Sequence, residues 1–583
     1  FKGYALDYGC GDGQFALALA KCSELNVVGI TPDAQAADRA RRTLQAAGLY
    51  GPRVTILQAP LDRLPHTKYA FNLVVSSEAL GGKTLPGTSA ELFRVLRPSG
   101  GVALLGLPPG VRGKLPNWAE LDRWARTGLP TNAMIVPDDD RAIRVAAGEV
   151  PGGGEWTHPY GDPGATACSH DERVRASGMR IQWFGEPGPR GFTDRGNRPP
   201  QPLTANGLYY VQGNNRVFAQ DAYNGRILWE LEVPNLRRLN IPRDAGAMCA
   251  DQDSLYLPLA GRCLRLDGYT GQLRQAYPLP TATNSDWGYI ACVSNRVYGS
   301  SVKKGSFYTV FDQNPVDWYD SATALTEIAK ICSDDLFCLA LDGTPLWTYR
   351  NGVIINSTIA IGGGRIYFVD SRNPALASQP NSRISSFGLW SDNHLVALDA
   401  ATGAVLWDAP LSLPSSPYPV VLFLSYADEK LILNDSTSRF NLYCYAAADG
   451  SKLLWSKSFA WLRGDHGHHM YHPVIAGNKV ILEPNIYDLN TGALLKTGLR
   501  DRGGCNTMSA AAYTAHYCES YSGASVFFWD LENNQTQNRR VAGMRASCWM
   551  SVISGGGMVL MPAVSAGCVC GFPLQTSMGF SAP

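Results

Sequence analysis

The sequence predicts two folds in series: an α/β domain with a parallel sheet over residues 1–148 and, after a linker at 149–178, a single all-β propeller of eight blades over 179–583. Three observations predict it. Strand-like and helix-like runs alternate up to about residue 146. Beyond residue 220 a short motif built on Asp, Gly and Trp recurs. Between the two the composition changes, with twelve of the fourteen Cys and twelve of the fourteen Trp lying after residue 150.

Composition removes several classes of function. Lys+Arg 51 against Asp+Glu 50 leaves a net charge of +1, so no global field draws the chain to nucleic acid. Apolar residues at 45% are too many for a disordered chain, although the charged fraction of 17% is below the usual figure of about 25%. No run of eighteen apolar residues occurs, and no transmembrane helix is expected. The chain opens at Phe1 and is strand-like by Tyr4, so an upstream piece, a signal sequence included, is expected to have been removed.

The first strand, Tyr4–Tyr8, runs into the turn Gly9-Cys10-Gly11-Asp12-Gly13, and Phe15, Leu17, Leu19 and Ala20 follow with helical spacing. A strand at Val27–Ile30, a helix at Ala34–Ala47 and strands at Val54–Gln58 and Phe71–Ser76 come next. A helix at Ser89–Leu96, the turn Pro98–Gly101 and a strand at Val102–Leu105 complete the set. Glycines directly after the first strand let backbone approach a ligand, and the helix that follows presents its N–H end there.

The ordered set LDYGCGDG, VVGI, FNLVVSSEAL and LFRVLRPSGG resembles the class I S-adenosylmethionine-dependent methyltransferases, whose domain is Rossmann-like. The resemblance covers residues 1–146. It implies that Asp7, Gly9, Gly11 and Gly13 form the methionine and ribose side of a cofactor site, with Asp62 near the adenine. The family usually carries an acid after the second strand to hold the ribose hydroxyls. Here Thr31 stands there, with Asp33 two positions on, and Asn72 occupies a place where Asp is common. With no evident base after the fourth strand, the head reads as degenerate; an active methyltransferase is the alternative.

In the remainder, Asp221-Ala222-Tyr223-Asn224-Gly225-Arg226-Ile227-Leu228-Trp229 recurs as Asp399-Ala400-Ala401-Thr402-Gly403-Ala404-Val405-Leu406-Trp407, with weaker copies at 267–273, 341–347, 448–455 and 488–495. Each copy follows strand, turn, strand and an Asp/Asn-Gly hairpin, and this spacing suits one four-stranded blade per repeat. Inner strands are expected to start near 203, 246, 289, 357, 420, 472, 507 and 549, with Arg180–Trp183 as the closing outer strand.

The best copies resemble the pyrroloquinoline-quinone-like (PQQ-like) repeat, which implies that Trp229, Trp347, Trp407 and Trp455 dock between neighbouring blades. Quinoprotein enzymes also hold the quinone against a vicinal disulfide; this chain has no adjacent Cys pair, so PQQ is not expected. Together with Gly154–His158 and the tail Ser565–Ser577, the two halves look like exported bacterial PQQ-like repeat proteins with a fused methyltransferase domain. That resemblance implies a periplasmic, envelope or extracellular location.

Chemistry in the propeller is expected where loops enter the inner strands and converge at one mouth. His466, His468, His469 and His472 fall within seven residues and, with Cys505 and Cys548 from the following blades, supply ligand types suited to zinc or copper. Disulfides at Cys505/Cys548, Cys568/Cys570 or Cys332/Cys338 are the bland alternative. His469, Tyr471, His472 and Arg243 are the residue types of a polysaccharide lyase, and a quinoprotein-type oxidoreductase is a further alternative. Trp287 and Trp549 at the same mouth suit stacking on a sugar or packing between blades. The leading expectation is a binding or scaffold module, with a protein or glycan partner and a His/Cys metal site.

Overall fold

The computed structural model describes residues 2–80, 87–107, 118–138, 142–175, 178–188, 201–213, 215–234, 236, 248–280, 284–307, 329–413, 419–462, 468–499, strands within 509–542, 552–562 and 576–582. Arg243, His466, Cys505, Cys548, Trp549, Cys568 and Cys570 lie outside these residues, as does the side chain of His468. The chain divides into two compact units: Phe1–Gly152 with Ile181–Trp183 and Gln220–Leu228, and Gly153–Arg180, Phe184–Ala219 with Trp229–Pro583.

The first unit runs β1 (Lys2–Tyr8), α1 (Gln14–Cys22), β2 (Glu24–Thr31), α2 (Ala34–Ala46), β3 (Val54–Gln58), β4 (Leu73–Val75), α3 (Ser77–Leu80), α4 (Ser89–Val95), β5 (Val102–Gly106), α5 (Trp118–Thr127), β6 (Ala133–Asp138) and β7 (Ala142–Ala147). The sheet order is β3-β2-β1-β4-β5-β7-β6. The first five strands pair in parallel, while β7 runs antiparallel to both β5 and β6. The sequence reading stopped at β5 and missed this final pair. Because neighbours in a strand point to opposite faces, β1 feeds two cores. Ala5 packs with Ala16, Ala37, Ala40 and Leu44 on one side, and Leu6 and Tyr8 with Phe71, Leu92 and Leu105 on the other. The small alanines of α1 and α2 let both helices lie close to the strands. Within this unit Arg97 and Asp221 form a fully buried ion pair, Nη1 to Oδ2 2.8 Å.

After the head come six successive sheets between Leu203 and Lys496, then one over Ser509–Ala542 and one that joins Ile553–Gly555, Met558–Met561 and Ser577–Ser581 to Arg180–Gly185. Among the described residues all but one are four-stranded. The exception corrects the expected inner-strand start near 357. A 3-10 turn at Asn356–Thr358 interrupts that strand between Val353–Ile355 and Ala360–Gly362, and Lys330–Ser333 and Arg383–Ile384 add to the same sheet.

The repeat motif has a local cause. Asp399 accepts from the amides of Ala401 and Thr402 and from the Thr402 hydroxyl, and the Gly403 amide donates back to the Asp399 carbonyl. Asp267 and Asp488 build the same turn. The glycine that ends each turn leaves room for an indole from the adjacent sheet. Trp229 donates to Gly268 O at 2.8 Å, Trp347 to Ala400 O at 3.2 Å, Trp407 to Ala447 O at 3.1 Å and Trp455 to Leu489 O at 3.0 Å. Trp183 makes the same bond to Ala222 O at 2.8 Å.

Residues 154–166, within the stretch read as a linker, are bonded to the sheets. Trp156 exchanges backbone hydrogen bonds with Thr204, and the carbonyls of Thr157, Pro163, Gly164 and Thr166 accept from Ala250, Ile361, Tyr426 and Ile475. Gly154 O accepts from Gly556. Residues 154–166 thus touch the innermost strands, or the turns directly after them, of one sheet after another.

One expectation is corrected here, and for Trp287 packing rather than stacking on a ligand is found. Cys332 and Cys338 do not form a disulfide. They face different cores, Cys332 with Val353 and Tyr367, and Cys338 with Tyr298 and Ile354. Trp287 is wholly buried, edge-on to Phe337 at 5.1 Å with Nε1 donating to Tyr289 O, so it packs between strands.

Candidate functional site

The best-defined site is the turn between β1 and α1, where the strand order reverses between β1 and β4. Open α/β sheets bind ligands at the carboxyl ends of strands at such a reversal. The amides of Gly9 and Cys10 both donate to Ile30 O at 3.0 Å, tying the turn to β2. Gly9, Gly11 and Gly13 all take positive φ, +77°, +54° and +80°. A Cβ on Gly13 would meet Ala40 of α2 at 2.9 Å, and one on Gly9 would meet Glu78 at 3.0 Å. A Cβ on Gly11 would meet nothing within 4 Å. Two of the glycines therefore serve packing, and the third opens on free space.

Asp7 is fully buried at the end of β1. Its carboxylate accepts from the Ser77 amide at 2.8 Å and the Ser77 hydroxyl at 2.6 Å. Burial pushes its pKa up to about 6; the Ser77 bonds oppose that shift and the charge of Glu78 adds to it. Ser77 and Glu78 are functional neighbours that the sequence reading missed. The signal was the SSEAL run directly after β4, which was used only as a family marker.

Of the other expected residues, Asp62 is exposed, on a loop that the Tyr8 hydroxyl pins by donating to Leu61 O at 2.7 Å. Asp33 caps α2, its Oδ1 accepting from Gln35 N at 2.8 Å, and Thr31 Oγ1 accepts from Asp33 N at 3.3 Å. Asn72 lies at the far end of the sheet, accepting from Tyr4 N at 2.9 Å. The departure at Asn72 therefore does not bear on the site.

The propeller cluster comes out differently. His472 is buried, stacked on Tyr160 with centroids 4.0 Å apart, its Nδ1 2.6 Å from Pro473 O. His469 is buried beside the Trp461 ring at 5.4 Å, and Tyr471 is buried as well. Among the described residues no three His, Cys, Asp or Glu side chains come together as a metal site. The expected His/Cys centre is without support from His469 and His472, whose rings are taken up in aromatic packing.

A methyltransferase-domain family model matches residues 5–100. A second model, described as outer membrane protein assembly factor BamB, matches residues 180–329 and 391–501. The chain joins a methyltransferase domain to a propeller of PQQ-like repeats. Similar curated proteins include an uncharacterised methyltransferase, YodH, of Bacillus subtilis, 32% identical over 19% of this chain and 45% of its own length. Another is the 27-O-demethylrifamycin SV methyltransferase of Amycolatopsis mediterranei, 28% identical over 30% of this chain and 63% of its own. The chain thus spans less than two thirds of either relative. Among solved structures, a europium-containing methanol dehydrogenase aligns over 70% of this chain and 81% of its own at 12% identity, with TM-score 0.38. BamB from Moraxella catarrhalis aligns over 70% and 92% at 12% identity, with TM-score 0.29. Among the described residues no helix is long and apolar enough to cross a membrane.

Proposed function

We propose that the methyltransferase domain binds S-adenosylmethionine and serves methyl transfer, and that the propeller is a rigid platform for a protein or glycan partner. One observation carries this reading: a left-handed Gly11 opening on free space, beside a buried Asp7 carboxylate at the point where the strand order reverses. Asp7, Gly9, Gly11 and Gly13 would hold the methionine and ribose side, with Asp62 beside the adenine on the loop pinned by Tyr8. Bound there, the cofactor supplies an electrophilic methyl group. The match of the propeller to an outer-membrane assembly-factor model supports an envelope location. We also read the eight sheets as blades of one ring, because Trp183 seats on the Gly225 turn just as each repeat Trp seats on the turn beside it.

A degenerate head, retained for packing, is the second reading. It is favoured by Asp33, whose carboxylate is engaged at the start of α2 where a ribose-binding acid would be wanted. Calorimetry with S-adenosylmethionine and S-adenosylhomocysteine separates the two. The first reading expects saturable heat in the micromolar range that is lost in Gly11→Arg; no heat at millimolar cofactor would leave the second.

A further inference from the structure

Residues 154–171 are more than a connection. Their ends are clamped together: Glu155 N donates to Ser169 O, and Asp171 accepts from the amides of Gly154, Arg173, Val174 and Gly557. Between the ends, four non-glycine residues, Tyr160, Ala165, Ala167 and His170, hold positive φ of +52° to +62°. Such backbone is unfavourable for residues with a Cβ and persists only where its surroundings enforce it. The segment is strained and is held down by its contacts with the innermost strands.

The contacts with the strands that carry Ala250, Ile361, Tyr426 and Ile475 are backbone carbonyls accepting amides, which no pH change alters. The contact with the sheet that starts at Ser285–Val293 is different. There the Nε2 of His158 accepts the Cys292 amide at 3.3 Å, and Nδ1 lies 2.8 Å from Thr157 Oγ1. A backbone amide can only donate, so Nε2 must be bare and the proton must sit on Nδ1. Protonating Nε2 would set N–H against N–H in a buried site.

The nearby carboxylates of Asp162 and Asp251 favour a protonated ring but do not outweigh its burial, and both are already engaged. Asp162 already accepts from Thr166 N, Thr166 Oγ1 and His170 Nε2, and Asp251 from the Tyr256 hydroxyl, the Cys292 thiol and the amides of Asp253 and Ser254. His170, whose pKa is raised by its bond to Asp162, is protonated first and neutralises that carboxylate. The thiols of Cys249 and Cys292 are themselves held un-ionised by burial.

We propose that residues 154–171 form an acid-released plug across the inner strands of the propeller, latched to the Ser285–Val293 strand by neutral His158 and freed there when that imidazole takes a proton. Burial foremost holds the pKa of His158 down at about 4, against an ordinary 6.5. The latch is therefore fully effective above pH 6.5 and weakens as pH falls from there towards 4.

Hydrogen exchange read by mass spectrometry on the full chain tests this. Between about pH 7.5 and about pH 4.5, after correction for intrinsic exchange, protection of peptides spanning 155–162 and 285–293, on either side of the His158 contact, should fall by about fiftyfold. The segments carrying Ile361, Tyr426 and Ile475 should keep theirs. His158→Gln retains an acceptor that does not titrate and should hold its protection within about twofold across the same range. Unchanged protection in the wild-type protein overturns the proposal even if the variant fails to fold. An equal loss in His158→Gln, or a loss in step across all segments, does so too.

Discussion

The glycine turns of the two units use the same backbone for opposite ends. Gly271, Gly403 and Gly492 end the propeller hairpins with φ between +69° and +72°, and a Cβ on any of them would come within 2.6 to 2.7 Å of an indole. Gly11 has a similar φ and faces nothing within 4 Å. At the propeller turns the space left by the missing side chain is filled by the protein; at Gly11 of the methyltransferase domain it stands open. What separates a packing glycine from a binding one is the occupant of the space, which neither φ nor the sequence reports.

The largest effect should come from emptying a filled space. Trp455 is buried against the Gly492 turn and donates to Leu489 O. Trp455→Ala removes a large aromatic from a packed seam and should cost about 3–5 kcal/mol in chemical denaturation. Trp407 is only half-buried, so Trp407→Ala should fall at the low end of that range. Equal, negligible costs at both would show that the indoles rest on the turns without holding the sheets.

The repeat was legible because each copy must solve one local problem, an Asp-headed turn with a glycine that admits a neighbour's Trp, and so leaves the same few residues each time. The glycine turn after β1 was legible for a similar reason. The rest was hidden where partners are distant in sequence. Ser77 meets Asp7 across seventy positions. Residues 154–171 look like a linker because their bonds are made mostly by backbone carbonyls, which any residue supplies. The histidine run at 466–472 drew attention by its composition, yet His472 is used as a flat ring against Tyr160. His158 entered the sequence reading only as the end of the Gly154–His158 run, and its Nε2 accepts a backbone amide from a residue 134 positions away.

Asp7 gives an intermediate effect and sharpens the contrast between a site tuned for binding and one tuned for packing. Its folded pKa of about 6 lies above the ordinary 3.8, so the folded chain keeps a proton that the unfolded chain gives up. Stability therefore falls as pH rises from about 4 to about 6 and stays lower above that range. Asp7→Asn keeps an acceptor for the Ser77 amide and removes the buried charge. At pH 7 it should stabilise the domain by up to about 3 kcal/mol, a gain that disappears below about pH 4, while the cofactor heat is lost. Thermal unfolding across that pH range checks the sign, and a variant less stable than wild type at pH 7 would show that Asp7 holds the fold rather than the ligand.

The smallest effect on stability is the most telling about function. Gly11→Ala and Gly271→Ala both place a Cβ on left-handed backbone, and each should cost about 1 kcal/mol for that reason alone. At Gly271 the new methyl also lies 2.7 Å from the Trp229 ring, which is fixed by its bond to Gly268 O, so overpacking should add about 1–3 kcal/mol. At Gly11 nothing stands in the way, and the loss should stop at the backbone term. If the space belongs to a cofactor, that nearly silent substitution should still weaken S-adenosylmethionine binding by tenfold or more, because the methyl occupies the ligand's place, whereas Gly271→Ala should leave binding alone. Denaturation and calorimetry on the same two variants measure both quantities. A Gly11→Ala protein that binds as tightly as wild type would mean that the gap is solvent, and that the turn differs from the propeller hairpins only in lying at a surface.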